Sequence, residues 1–181
     1  CYVDGIGAVV AIRSLHGVKA KKLPGCELWL DILEKTSGSS VAMIGSTPDV
    51  LTDACTKVSQ EYDCNIVYQQ HGYFENEELI LSELSIAKPQ FIFLALGQPK
   101  QEILGDKIRE LLPQSSVFGV GGSFDVYCGK SKRAPKLFIL LGLEWLYRLL
   151  KEPSRWKRQL VIPKLLGRAL PLFIKRKFFD S

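Results

Sequence analysis

Two carboxylates sit in glycine turns. Asp4 stands directly before Gly-Ile-Gly in "DGIG", and Asp125 follows Gly-Gly-Ser-Phe in "GVGGSFD". An aspartate at a strand-to-helix turn is either a helix cap or an exposed general base, and for Asp4 both readings stand. Asp125 either accepts hydrogen bonds from a ribose or base, or caps its own turn. His71 in "QQHGYF" either faces a ligand cleft at a strand end or satisfies a loop carbonyl. Arg148, Arg155 and Arg158 are separated by seven and three residues, spacings that helical geometry brings to one side, although Pro153 interrupts the run. Arginines gathered in this way, with few acids between them, suit a diphosphate or anionic lipid. There is no D-x-D pair and no H-x-x-x-H, so a divalent metal held by protein ligands is not expected.

The elements that must position these groups can be read from the pattern around them. Four apolar, β-rich runs, at 41–44, 66–68, 91–96 and 117–120, recur about every 25 residues. Each is followed by Gly or His-Gly, beginning with Gly45, and then by a helical pattern. Strands alternating with helices predict βαβ crossovers: an α/β fold, Rossmann-like, with a mostly parallel sheet and helices on both faces. Thr47-Pro48 reads as a helix cap and first-turn proline, and Val50, Leu51, Ala54, Cys55 and Val58 form the buried stripe that follows. Gly97-Gln98-Pro99 closes a strand and opens a helix over 100–112. The turns at Thr47-Pro48 and Gly97-Gln98-Pro99 therefore fall at the carboxyl ends of strands, where open α/β sheets bind ligands. Three glycine clusters, "DGIG" (4–7), "LGQPKQE" (96–102) and "GVGGSFD" (119–125), sit where a strand should end, and each taken singly is also what a tight turn requires. Three at one sheet edge favour a nucleotide-shaped ligand, although none forms a P-loop or a complete dinucleotide fingerprint.

From residue 134 the pattern becomes nearly continuous helix, broken at Pro153. Residues 154–181 mix apolar and cationic side chains and end in "LFIKRKFF", which reads as a basic amphipathic helical appendage. The expected division is an α/β domain over 1–153 and the appendage over 154–181. The net charge of +5 conceals an asymmetry. Residues 1–129 carry ten Lys/Arg against sixteen Asp/Glu, and residues 130–181 carry fourteen against three, giving −6 and +11. That split points to a polyanionic partner for the C-terminal part.

At 181 residues, 46% of them hydrophobic, the chain can bury a core, and disorder is excluded as its main state. Five cysteines without C-x-x-C spacing read as reduced, mostly buried thiols of a cytoplasmic protein. The longest apolar run, 137–143, is too short to span a bilayer. The first residue is Cys, inside what reads as an element, so a fragment is one expectation.

The strings "DGIG", "LPGCEL", "QQHGYF", "ALGQPKQE", "GVGGSFDVYCGKSKRAPK" and "LGLEWLYRLLKEPSRWKRQL" occur in this order over nearly the whole chain. Together they resemble the WecG/TagA/CpsF family of bacterial glycosyltransferases. The resemblance implies an inverting, metal-independent transfer of an N-acetylmannosamine-type sugar from a UDP-sugar to a polyprenyl-diphosphate-linked acceptor, for teichoic acid, enterobacterial common antigen or capsule. It implies Asp4 as general base, and Arg148, Arg155 and Arg158 as the cations that engage diphosphate. Gln101 and Asp125 match polar residues of the nucleotide-sugar cleft, whose expected lining is Gly45, His71, Gly97, Pro99, Lys100, Gln101, Glu102, Gly121, Gly122, Asp125 and Arg133. No cofactor is expected. The partners implied are the donor, the lipid-linked acceptor and an anionic membrane surface at the inner face of the cell membrane. No nucleic acid is among them, and a homo-oligomer is left open. The sequence departs from the family in two places: the segment that precedes Asp-Gly in members is absent, and Lys22 stands where many members have Arg. The competing readings are a non-catalytic nucleotide- or RNA-binding module, whose binding would weaken steeply with salt, and an inactive fragment.

Overall fold

The structure, a computed structural model, describes residues 25–131, 134, 135, 138 and 144–151. Residues 25–132 form one compact unit. Its elements run α1 (Gly25–Lys35), β1 (Ser39–Gly45), α2 (Pro48–Glu61), β2 (Cys64–Gln70), α3 (Glu77–Ala87), β3 (Phe91–Ala95), α4 (Lys100–Leu111), β4 (Ser116–Gly119) and α5 (Ser123–Tyr127). Of the second unit, the described part comprises residues 134 and 135, α6 (Glu144–Lys151) and Phe138, whose ring lies 5.5 Å from that of Tyr147. The appendage expected at 154–181 lies outside the described residues. Among those described, no helix is long and apolar enough to cross a membrane.

The four strands pair in parallel, in the order β2-β1-β3-β4. The central strands β1 and β3 are buried almost throughout, and this is why 41–44 and 91–95 read as unbroken apolar runs rather than alternating ones. Alternate residues serve opposite faces. Val41, Met43 and Phe93 pack with Trp29 and Leu33 of α1, with the α2 stripe and with Phe124 of α5. Ala42, Ile44, Ile92 and Leu94 pack with Ile80 and Leu84 of α3 and with Leu104 and Ile108 of α4. Helices thus cover both faces, as the alternating pattern predicts.

Local chemistry fixes the element ends. Thr47 accepts a bond from the Val50 N–H at 3.4 Å and Pro48 occupies the first helical turn, so α2 starts where the sequence predicts, and its five-residue stripe is buried. Asn76 caps α3 in the same way through the Leu79 N–H. The helix expected over 100–112 ends one residue earlier, at Leu111. Among the described cysteines Cys55 is buried, whereas Cys26, Cys64 and Cys128 are only partly so, which corrects the expectation of mostly buried thiols. Burial, followed by the neighbouring Cys128 and Cys64, pushes the Cys55 thiol up to about 11 and keeps it protonated and unreactive near neutral pH.

Candidate functional site

The strand order reverses between β1 and β3. The chain leaves β1 towards β2 on one side, then crosses back to place β3 on the other. In a parallel sheet this divergence opens a crevice at the carboxyl ends of the two strands. The turns that meet there are 45–47 after β1 and 96–99 after β3, flanked by 71–76 after β2 and 120–122 after β4.

Gly45 makes the junction of the central strands possible. Its φ is 131°, and a Cβ at this position would stand 2.3 Å from the Ala95 carbonyl oxygen. No side chain fits so near another backbone. Above the sheet edge the situation is opposite: a Cβ on Gly97, Gly121 or Gly122 would meet nothing within 4 Å. The turns after β3 and β4 therefore border open space in which another molecule could lie against backbone. The Gln98–Pro99 peptide is cis, and Pro99 precedes the first turn of α4.

Polar side chains from four segments converge on this edge. Ser46 Oγ donates to Asp125 Oδ2 at 3.0 Å, joining the end of β1 to α5 across 79 residues of sequence. An ionised carboxylate offers about four acceptor positions, so this bond leaves capacity for a ligand. Gln101, buried in the first turn of α4, accepts from the Gly121 N–H at 3.1 Å and donates to Glu102 Oε1 at 3.0 Å. A Cβ at Gly119 would lie 2.8 Å from Gln101 Nε2, so that glycine exists to admit this amide. Lys100 Nζ donates to the Gly72 carbonyl at 3.0 Å and lies 3.7 Å from the centroid of the Phe74 ring, pinning the 71–76 turn to α4. His71 Nδ1 accepts from the Tyr73 N–H at 3.2 Å, which assigns the ring's proton to Nε2 in the neutral form.

The segment carrying Asp125 is held from behind. Tyr127 donates to Glu61 at 2.6 Å, and its ring packs edge-on against Trp29 at 5.2 Å. Burial, then the bond to Glu61 and that carboxylate's charge, raise the Tyr127 hydroxyl far above the ordinary phenol range. Lys57 donates to the Tyr127 carbonyl at 3.1 Å, and the backbone N–H groups of Lys130 and Ser131 bond to the Asp125 carbonyl. Lys130 itself pairs with Asp53 of α2 at 3.6 Å.

Of the residues singled out by sequence, Gly45, His71, Gly97, Pro99, Lys100, Gln101, Glu102, Gly121, Gly122 and Asp125 all fall on the turns or helix starts at the carboxyl edge of the sheet. Asp4, Arg133, Arg155 and Arg158 lie outside the described residues, as does the side chain of Arg148, whose backbone belongs to α6. Sequence reasoning does not single out Ser46; its one signal is a hydroxyl in "GSTP", between a strand-ending glycine and a helix cap. The Glycosyl transferase WecG/TagA/CpsF family model matches residues 1–178 of the 181, so the chain belongs to this family of glycosyltransferases of cell-surface polysaccharide synthesis.

Proposed function

We propose that the protein transfers an N-acetylmannosamine-type sugar from a UDP-sugar to a polyprenyl-diphosphate-linked acceptor, with inversion at the anomeric carbon. The observation that carries this reading is the strand-order reversal between β1 and β3, whose carboxyl edge holds the open glycine turns at 97 and 121–122 and the Asp125 carboxylate. A nucleotide donor needs close backbone approach for its phosphates and an acceptor group for its ribose or base, and both occur on this edge. Gly45, His71, Pro99, Lys100, Gln101, Glu102 and Arg133 complete the donor side.

In the transfer, the Asp4 carboxylate takes the proton of the acceptor hydroxyl as that oxygen bonds to the anomeric carbon. The bond from that carbon to the diphosphate oxygen breaks and UDP departs. Arg148, Arg155 and Arg158 neutralise the charge growing on the leaving phosphate, a role that cations perform as well as a bound metal when they are fixed in place. The chain has no D-x-D pair to hold such a metal. The test is to incubate the protein with a panel of UDP-sugars and a synthetic polyprenyl-diphosphate-linked sugar. A lipid product heavier by one N-acetylhexosamine residue is expected with UDP-N-acetylmannosamine. Absence of product from every donor would sink the reading.

The lipid-linked acceptor keeps its diphosphate at the membrane surface, so the enzyme must dock there. The +11 charge of residues 130–181 and the aromatic, cationic end of the appendage support reversible binding to anionic membrane. Each basic residue near the surface contributes on the order of 1 kcal/mol, weakened by salt. Removing residues 154–181 is expected to abolish sedimentation with phosphatidylglycerol vesicles and transfer to the lipid acceptor, while residues 25–132 keep their fold. Equal sedimentation of intact and shortened protein would end the membrane role of this segment.

A further inference from the structure

We propose that Ser46 is a positioning residue of the donor site: its hydroxyl orients the Asp125 carboxylate towards the ribose or base of a nucleoside diphosphate. This rests on the reading that Asp125 contacts the donor.

Ser46 is the first residue after β1 and has a φ of 59°. Lys88 is the other described non-glycine residue with positive φ, and it is the left-handed C-cap of α3, where that conformation commonly ends a helix. No helix ends at Ser46. A strained conformation away from a helix end persists only where its surroundings over-determine it. Here they do: the Ser46 N–H donates to the Ala95 carbonyl at 3.0 Å, and its carbonyl accepts from the Gly72 N–H at 2.8 Å. One residue thereby ties the end of β1 to the end of β3 and to the turn after β2. Glycine would adopt this φ without cost and make the same two backbone bonds. What serine adds is the hydroxyl, and the hydroxyl is spent on Asp125 at 3.0 Å, a charge-assisted bond.

Asp125 does not need Ser46 to keep α5 in place. The Asp125 carbonyl is bonded by the Lys130 and Ser131 N–H groups, and Tyr127 anchors the helix to Glu61 and Lys57 of α2. Loss of the Ser46 hydroxyl therefore frees the carboxylate to rotate and leaves its helix where it was. The consequence falls on ligand affinity and bypasses stability.

Calorimetric titration of the full chain with UDP, alongside thermal unfolding, separates this role from a structural one. Ser46→Ala and Ser46→Gly are each expected to weaken UDP about tenfold, the scale of one hydrogen bond to a charged group. Their stabilities should diverge, with the glycine variant melting above the alanine variant. In an Asp125→Asn background, Ser46→Ala should cost no further affinity. A Ser46→Gly protein that binds UDP like the unaltered chain would overturn the proposal, since affinity would then track backbone strain. So would an undiminished effect of Ser46→Ala in the Asp125→Asn background. If Asp125→Asn weakens UDP and the Ser46 variants do not, the donor site stands and the role of Ser46 falls. If Asp125→Asn leaves UDP binding unchanged, or the unaltered chain does not bind UDP, the reading of Asp125 as a donor contact fails and the role of Ser46 fails with it.

Discussion

Replacing Gly45 by alanine is expected to lower the unfolding free energy by about 4 kcal/mol, combining the strain of a forbidden φ with that of overpacking between two strands. The added methyl would stand 2.3 Å from the Ala95 carbonyl oxygen, 2.4 Å from its carbon and 2.8 Å from its Cα, and all three are backbone atoms of the central pair. A flexible side chain could turn aside; a strand cannot move without loosening its ladder. Moving β3 away would also stretch the Ser46 N–H bond to Ala95, so the damage reaches the crevice. Gly38→Ala is the control: its φ of 72° is also positive, yet a Cβ there meets nothing within 4 Å. It is expected to cost only about 1 kcal/mol. Thermal unfolding of the two variants measures the contrast, with a drop of about 10 °C expected for Gly45→Ala in a chain of this size. Equal losses in the two variants would show that conformation alone, rather than the close strand approach, dictates the glycine.

Asp4→Asn is expected to lower turnover roughly 10²-fold or more while leaving donor affinity nearly intact, the scale for losing a general base. The amide keeps the size of the side chain and its capping oxygen but cannot take the proton of the acceptor hydroxyl. That distinction separates the two roles open to an aspartate before Gly-Ile-Gly. A cap loses little on conversion to asparagine, because the two residues cap equally well. Single-turnover measurement with donor and lipid-linked acceptor, beside a UDP titration, gives both numbers. Unchanged turnover would reduce Asp4 to a cap and require another base.

The parts of this protein most legible in its sequence are those that depend on neighbours along the chain. Strands β1 and β3 announce themselves as apolar runs because both faces of each are covered. Thr47-Pro48 fixes the start of α2 because capping is a contact within one turn. Contacts between distant residues are not written in any period. Ser46 and Asp125 meet across 79 positions, and no spacing rule joins them. Lys130 pairs with Asp53 of α2 at 3.6 Å, which no spacing rule announces. That pairing follows from how α5 packs beside α2, a tertiary fact. The same holds for Gly119, a strand-end glycine by sequence and a slot for the Gln101 amide in the fold.

The strand order also bears on synthesis. β1 leaves the ribosome before the strands on either side of it, and the residues it pairs with lie as far on as Ala95. Its partner β3 in turn waits for β4, which ends at Gly119. Until then β3 has one edge unsatisfied, and pairing of such separated segments is slow and open to aggregation. A nascent chain stalled before residue 119 would therefore expose an unpaired edge of β3, whereas one released beyond it can pair all four described strands.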